Sequence, residues 1–386
     1  MLALNDTARS VPVVVRVAER GAVPRVSAGR RRALKLIGSF TSPLLPDDYL
    51  ELVNPLWSTR ELRGRIERVE RETPDAVTVL IKPGWEWPGH LPGQYVRLGI
   101  EVDGVHHWRA YSLTSDPDRR DGCIAITPKL VDGGKVSPFL FSRVRPGAIV
   151  RLGGVEGTFV MPDPLPERLL FVSAGSGVTP VMSMLRALAG RGQLRDVVHI
   201  HSARTAEQVI FSRELRGLHD RENGYRLHEQ LTGEQGRVTP ARLDDLCADW
   251  RERETFLCGP SGLLEAMRGR WAQDGEPERL HVEHFQPDQH LLDELTPGQR
   301  GTGGTVRFRS SDVEVDSDGR QSILACGEAA GAELPFGCRM GICHTCVGRL
   351  RSGQVRDLRT GKVHGQPGES VQTCVNAPEG AVEIDL

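Results

Sequence analysis

No stretch of this chain is long and apolar enough for a bilayer, neither sign of charge is in excess, and no repeat or low-complexity tract is present. Each absence removes a class of function. The longest uncharged run, Leu169 to Leu185, contains Gly175, Gly177, Pro180 and three serines, so it reads as strand–loop–helix rather than a membrane span. The 49 Lys and Arg stand against 51 Asp and Glu, and a net charge of −2 offers no global electrostatic case for nucleic acid. The apolar run Val11–Val17 is broken by Pro12 and Arg16 and is too short for a secretory core. With no sign of an oxidising compartment, the expectation is a cytoplasmic protein whose thiols are not disulfides.

Eight cysteines is an ordinary number for 386 residues, but their placement is not. Cys338, Cys343 and Cys346 fall within nine residues, in Pro335-Phe-Gly-Cys-Arg-Met-Gly-Ile-Cys-His-Thr-Cys346, and residues 347–373 separate them from Cys374. This C-x4-C-x2-C…C spacing is the plant-type [2Fe–2S] ligand pattern. Two irons need four converging thiolates, so three come from one tight loop, in which Gly337 and Gly341 let backbone amides face anionic sulfur. Structural zinc usually shows paired C-x2-C knuckles, and only Cys343 and Cys346 form one here. A Rieske site needs two His–Cys pairs, and His344 is the one histidine in the loop. Cys123, Cys247 and Cys326 read as small buried residues.

Length predicts two or three domains. Residues 1–40 form a basic extension, Arg9, Arg16, Arg20, Arg25, Arg30, Arg31, Arg32 and Lys35 against Asp6 and Glu19; it is either a solvated, flexible tail or a peripheral contact with anionic lipid. Residues 41–60 form a Pro-rich lead-in. Within 61–161, alternation over Arg65–Val69, Ala76–Ile81, Tyr95–Ile100, Trp108–Leu113, Cys123–Lys129 and Ile149–Leu152 predicts six antiparallel strands closed into a small barrel, with a hairpin at Asp103-Gly104 and a helix over Ser137–Arg143. After the stiff connector Pro162–Glu167 the rhythm changes. Residues 162–285 predict a doubly wound parallel α/β domain, with strands at Leu169–Ser173, Val197–Ser202, Tyr225–Gln230, Thr255–Cys258 and Leu280–His284. Helices are expected at Pro180–Gly190, Ala206–Leu218, Pro240–Trp250 and Ser261–Asp274. A polar, flexible linker, 286–304, leads to the cluster domain, 305–386, with a strand pair, a helix over Ser322–Ala330, the cluster loop and short strands.

Three further motifs carry chemistry. Phe171-Val-Ser-Ala-Gly175-Ser-Gly177-Val-Thr179-Pro180 joins the first parallel strand to its helix, where glycines let amides approach a pyrophosphate. Cys258-Gly259-Pro260 ends the fourth strand, at the carboxyl edge where open α/β sheets bind ligands. In the barrel, Arg109-Ala-Tyr111-Ser112 places a guanidinium and a ring on one strand face, and Gly134-Lys135-Val136-Ser137 opens a helix. On their own, the barrel residues read equally as ordinary structure.

In this order the four motifs closely resemble the ferredoxin–NADP reductase superfamily, over about residues 60–386. The sequence of flavin barrel, nicotinamide domain and C-terminal ferredoxin is similar to the phthalate-dioxygenase-reductase arrangement, which implies a β-grasp fold for the last domain. The lead-in Pro43-Leu-Leu-Pro-Asp-Asp-Tyr49 with Asn54-Pro-Leu-Trp57 resembles actinobacterial reductases that supply acyl-CoA desaturases and related di-iron oxygenases. The resemblance implies that Arg109 holds flavin phosphate, Tyr111 stacks on the isoalloxazine and Ser112 hydrogen-bonds near N5. Gly134, Lys135, Val136 and Ser137 would bind the flavin pyrophosphate. Gly175, Gly177, Thr179 and Pro180 would bind the nicotinamide nucleotide, with Thr179 near the nicotinamide. Cys258, with Gly259 and Pro260, would approach the site of hydride transfer, and Phe285 would end the nicotinamide domain beside the flavin. Members use FAD or FMN, and the subgroup favours FAD.

The second parallel strand ends His201-Ser202-Ala-Arg204-Thr, Arg213 follows on the next helix, and no Asp or Glu precedes Glu207. Arginines suit a 2′-phosphate where a carboxylate would suit a 2′-hydroxyl, so the expectation is NADPH rather than NADH. A one-electron cluster needs a flavin between it and nicotinamide. The implied function is electron transfer from NADPH through flavin and cluster to an oxygenase or a membrane acyl-CoA desaturase, by a monomer with Arg339, Arg349 and Arg351 on its docking face. A reductase of a soluble ring-hydroxylating or haem monooxygenase system, using NADH, and a flavin/iron–sulfur redox sensor without turnover fit the same motifs.

Overall fold

Period-two apolar alternation builds the first domain. The structure is a computed structural model that describes residues 53–58, 60–285, 302–336, 341 and 344–386, all within the unit Asp47–Leu386. The basic segment 1–40, the lead-in to residue 52, linker residues 286–301, and Gly337, Cys338, Arg339 and Cys343 lie outside the described residues.

Strands β1 (Arg63–Thr73), β2 (Ala76–Pro83), β3 (Tyr95–Val102), β4 (Val105–Ser112), β5 (Ile124–Ile126) and β6 (Ile149–Glu156) pair antiparallel in the order β4-β3-β6-β1-β2-β5. The ends of this path meet where Leu113 bridges Ile126 and the Thr114 N–H donates to the Ala125 carbonyl at 2.8 Å, closing the barrel. Inward residues such as Ile66, Val79, Ile81, Val96, Leu98 and Leu113 are buried together, each contributing about 1.5–3 kcal/mol relative to exposure. Asp103 and Gly104 both take left-handed angles, φ 51° and 81°, the two-residue turn expected of Asp-Gly. Helix α1 (Val136–Ser142) plugs one end of the barrel through Val136 and Leu140. The lead-in turn Pro55–Trp57 is capped by Asn54 Oδ1, 3.0 Å from the Leu56 N–H, and buries Leu56.

The second domain is a five-stranded parallel sheet of β7 (Leu169–Ala174), β8 (Val197–Ala203), β9 (Tyr225–Leu231), β10 (Glu254–Cys258) and β11 (Leu280–Glu283), ordered β11-β10-β7-β8-β9. Helices α2 (Val178–Gly190), α3 (Ser212–Arg221) and α4 (Ser261–Asp274) pack against it. Two expected helices are cut short. The segment Ala206–Leu218 opens with a single 3₁₀ turn, Ala206–Gln208, and becomes α-helical only from Ser212, because Val209, Ile210 and Phe211 are drawn into the core and Phe211 adopts φ 61°. Pro240–Trp250 keeps one α-turn, Leu243–Leu246; Cys247 leaves helical angles, and the Asp244 carboxylate takes the Trp250 indole N–H at 2.8 Å.

The third domain is a mixed sheet of β12 (Gly304–Phe308), β13 (Val313–Ser317), β14 (Val347–Asp357), β15 (Val363–His364), β16 (Ser370–Gln372) and β17 (Asn376–Asp385). β12 runs parallel to β17 and helix α5 (Ile323–Ala329) covers one face, a β-grasp. Two of the strands expected to be short span 11 and 10 residues. Gly303 and Gly304, read as linker, belong to this sheet: Gly303 bridges Glu379 and Gly304 pairs with Ser317.

Candidate active site

On β4, strand alternation sets Arg109 and Tyr111 on one side, facing Leu98 and Val96 of β3 in register. Arg109 is half-buried, and its Nη1 donates to the Trp108 carbonyl at 2.8 Å. Tyr111 packs against the barrel core, and burial pushes its hydroxyl well above the usual tyrosine range, opposed by Arg109. Ser112 is buried beside them, opposite Tyr95. The loop before α1 is drawn tight by its own bonds: the Gly134 N–H donates to Val131 O at 3.0 Å, and Ser137 Oγ accepts from the Val131 N–H at 3.1 Å. No side chain caps the first turn of α1 at Lys135, so the Val136 and Ser137 amides have no side-chain acceptor there. A guanidinium, a ring and an uncapped helix start fit a flavin and its phosphates.

The two nucleotide motifs meet in space. A Cβ on Gly177 would overlap the carbonyl of Cys258 and crowd the Gly259 nitrogen, so the glycine turn closes directly onto Cys258-Gly259-Pro260. Gly175 sits at φ 55° with open space in front of it. Thr179, buried, donates its hydroxyl to Ser176 O at 2.9 Å, and Pro180 lies buried in the first turn of α2, which no side chain caps. Cys258 is fully buried at the end of β10, between Ser173 of β7 and Glu283 of β11. Burial, and then Glu283, push its thiol far above the usual range. Phe285 packs, partly exposed, against the domain core.

At the carboxyl edge of the sheet opens a cleft of about 640 Å³, lined by Gly175, Ser202, Arg204 and Pro260 among the expected residues. Arg213 is exposed on α3 and does not line it. In its place stand two cations that the local motifs did not indicate, Arg237 from the loop after β9 and Lys129 from the barrel. Asp75, the single carboxylate among the lining residues, pairs with Lys129 at 3.2 Å.

Glu283 was also missed as a functional candidate. It neighbours Cys258 in register, and burial raises its carboxyl to about 7. Its charge and that of Glu156, whose Oε2 accepts the Tyr95 hydroxyl at 3.1 Å, add to burial in raising the Tyr95 hydroxyl. The signal available was its place two residues before Phe285.

In the third domain Cys346 and Cys374 are buried, and Cys374 Sγ accepts the Gly341 N–H at 3.3 Å. Gly341 adopts φ 71° against the Arg359 guanidinium and Val375 Cγ2, where a side chain has no room. Buried cysteine sulfurs and an amide aimed at one of them fit an iron–sulfur cluster.

Three family profiles match along the chain: "Oxidoreductase FAD-binding domain" over residues 86–161, "Oxidoreductase NAD-binding domain" over 171–269 and "2Fe-2S iron-sulfur cluster binding domain" over 306–379. An NADPH oxidoreductase of Mycobacterium tuberculosis is 49% identical over 355 residues, 91% of each protein. The chain belongs to the ferredoxin–NADP reductase superfamily. It is an NAD(P)H-dependent oxidoreductase of the ferredoxin-reductase type. Another relative from this superfamily, the ferredoxin reductase component of 3-ketosteroid-9-alpha-monooxygenase from Mycobacterium tuberculosis, is 31% identical over 281 residues, 69% of this chain and 76% of that protein. The stachydrine N-demethylase reductase subunit of Rhizobium meliloti is 29% identical over 346 residues, 85% and 97% respectively. Among solved structures, phthalate dioxygenase reductase superposes with a TM-score of 0.54 at 21% identity, covering 84% of this chain and 98% of that one, a likeness of fold and domain order.

Proposed function

We propose that this reductase takes hydride from NADPH, holds FAD in its barrel, and delivers single electrons through a [2Fe–2S] cluster on Cys338, Cys343, Cys346 and Cys374 to an oxygenase. The observation that carries the choice of NADPH is the cation set around Ser202. Arg204 and Arg237 line one cleft, and its single carboxylate, Asp75, is already paired with Lys129. A 2′-phosphate would find charge-assisted donors there, whereas a bare 2′-hydroxyl would find no free carboxylate. The 49%-identical NADPH oxidoreductase supports the same assignment.

When bound, flavin converts the two-electron donor to one-electron delivery. The chain's own residues bind and orient. Arg109 and the first turn of α1 hold the phosphates, Tyr111 supplies a stacking face, and the Gly175–Pro180 turn cradles the dinucleotide. Cys258 and Phe285 form the dry wall where nicotinamide meets flavin, and Glu283 can hold a proton near neutral pH.

The relatives serving steroid and stachydrine oxygenation favour an oxygenase as acceptor. Within that class we favour a membrane acyl-CoA desaturase or related di-iron enzyme, from the lead-in resemblance, with the basic segment 1–40 leaning on anionic lipid. No helix among the described residues is long and apolar enough to cross a membrane.

Steady-state cytochrome c reduction with each nucleotide tests the donor. Arg204→Ala and Arg237→Ala are each expected to raise KM for NADPH about 10- to 100-fold, the loss of about 1.5–3 kcal/mol per charged bond, with little change for NADH. Equal KM values for both nucleotides in the unaltered enzyme would refute the assignment. Reconstitution with a purified desaturase, against a ring-hydroxylating oxygenase, tests the acceptor.

A further inference from the structure

Beyond the cluster loop, a string of polar groups runs from a half-buried histidine to a cysteine of the cluster set. His364, on β15, sets Nδ1 2.8 Å from Glu369 Oε1 and Nε2 3.0 Å from Asn376 Oδ1. The far end of the Asn376 amide decides its orientation. Nδ2 donates to the Gln372 carbonyl at 2.9 Å, and a turned-over amide would set oxygen against oxygen there. Glu369 is held below the usual carboxylate range by the Gln366 N–H and then by His364, so it accepts as an anion. Both ring nitrogens of His364 thus face oxygen atoms.

Gln372 carries the string across to the loop. Its Nε2 donates to the Gly341 carbonyl at 2.6 Å, and the Gly341 N–H donates to Cys374 Sγ at 3.3 Å. Gly341, at φ 71° between Arg359 and Val375, has no side chain with which to hold itself. Gln372 holds it from outside. A second tie sits beside the first, where the Thr373 N–H and hydroxyl both donate to the Cys346 carbonyl at 3.1 and 2.8 Å. A cavity of about 530 Å³ opens against this string, lined by His344, Asp357 and Ser370 as well as His364, Gln372 and Asn376. The charged or titratable groups around His364 are thus Glu369 in the adjoining turn, Asp357 of β14 and His344 of the cluster loop, with Lys362 acting on Glu369.

We propose that His364, Asn376 and Gln372 are positioning residues for the iron–sulfur centre: by clamping Gly341 they keep its N–H on Cys374 Sγ, and so raise the reduction potential of the cluster. Hydrogen bonds to cluster sulfur stabilise the more negative, reduced state, and supporting residues of this kind tune a metal site without touching it. The proposal rests on the assignment of Cys374 as a cluster ligand.

The test is a potentiometric titration of the full-length holoprotein, followed by EPR, for the unaltered chain, Gln372→Met and His364→Gln. Gln372→Met is expected to keep its cluster, by spin count and visible circular dichroism, while its midpoint becomes more negative. At a fixed poise near the midpoint, the ratio of reduced to oxidised cluster should fall about tenfold, which is about 59 mV for one electron. His364→Gln should shift the midpoint in the same direction by less. NADPH–ferricyanide activity, which bypasses the cluster, should be unchanged in both. Full clusters with unchanged midpoints would overturn the proposal. If Gln372→Met loses its cluster, His364→Gln decides, and loss in both would overturn the proposal by showing a scaffold and no tuning. An unaltered protein without a reduced [2Fe–2S] signal would overturn the ligand assignment beneath it.

Discussion

At the scale of single residues, the two glycines of the nucleotide turn are needed for different reasons and should respond differently to substitution. Gly177→Ala forces a methyl into the Cys258 carbonyl, backbone against backbone, so about 1–3 kcal/mol of stability should be lost and nucleotide binding weakened. Gly175→Ala meets open space and pays only for a left-handed angle, about 1 kcal/mol. Urea denaturation, together with NADP⁺ difference spectra, separates the two, and equal losses would refute the packing argument. Glu283 gives a pH signature. Its folded pKa, about 7, lies above the ordinary value of 4.5, so burial of the neutral acid is undisturbed below pH 4.5 and becomes a penalty as pH rises through 7. Glu283→Gln should therefore match the unaltered protein near pH 4.5 and exceed its stability at pH 8, by at most about 3 kcal/mol, in chemical denaturation of the apoprotein. The Arg109/Tyr111 alternation was legible because it is a local relation along one strand. Arg237, Lys129 and Glu283 were not. Their roles arise only when the loop after β9, the barrel and β11 meet at one edge, which no local spacing encodes.

At the scale of elements, β8 carries the least expected feature. His199 and His201 lie on the expected strand Val197–Ser202, and the structure joins them into a polar string inside the sheet. Ser173 Oγ lies 2.8 Å from both His199 Nε2 and His201 Nδ1, and His199 Nδ1 lies 2.8 Å from the Tyr225 hydroxyl. Both histidines are fully buried, and burial drives both toward neutrality, His201 to about 4 with Lys129 adding to the effect and His199 well below its usual value. A depressed folded pKa contributes stability above the unfolded value near 6.5, and this is lost as pH falls toward 4. For His201 alone the loss is about 3 kcal/mol over that window. Urea midpoints should therefore drop steeply between pH 6.5 and 4. His201→Phe should shallow the drop, and an unchanged slope would refute the assignment. Strand and helix order were legible from periodicity, since every parallel strand expected is present. The two shortened helices were not, because Phe211 and Trp250 gain more from core burial and an indole–carboxylate bond than from continuing a helix.

At the scale of the whole molecule, named side chains tie the three domains together. Barrel and nucleotide domain are welded: Ser183 Oγ and Arg186 Nη1 of α2 donate to the barrel carbonyls of Ser115 and Thr114 at 2.8 and 2.6 Å, and Ala76 and Phe159 enter the nucleotide-domain core. A side chain of the cluster loop also reaches the barrel. Thr345 Oγ1 donates at 3.4 Å to the Trp108 carbonyl, the same oxygen that Arg109 Nη1 engages. The strand expected to hold flavin phosphate and the loop expected to hold the cluster thus share one acceptor. Domain order could be read from the motifs, but this junction could not, because Thr345 and Trp108 are 237 positions apart and no local spacing relates the two. A bond of this kind contributes about 0.5–1.5 kcal/mol, so its removal should lower the population of the docked arrangement about two- to tenfold. Thr345→Val should accordingly slow cluster bleaching after anaerobic rapid mixing with NADPH by that factor, while flavin reduction in the same trace keeps its rate. Slowing of both phases would place the defect upstream, in nucleotide binding, and unchanged bleaching would show that the electron crosses between these domains without this contact.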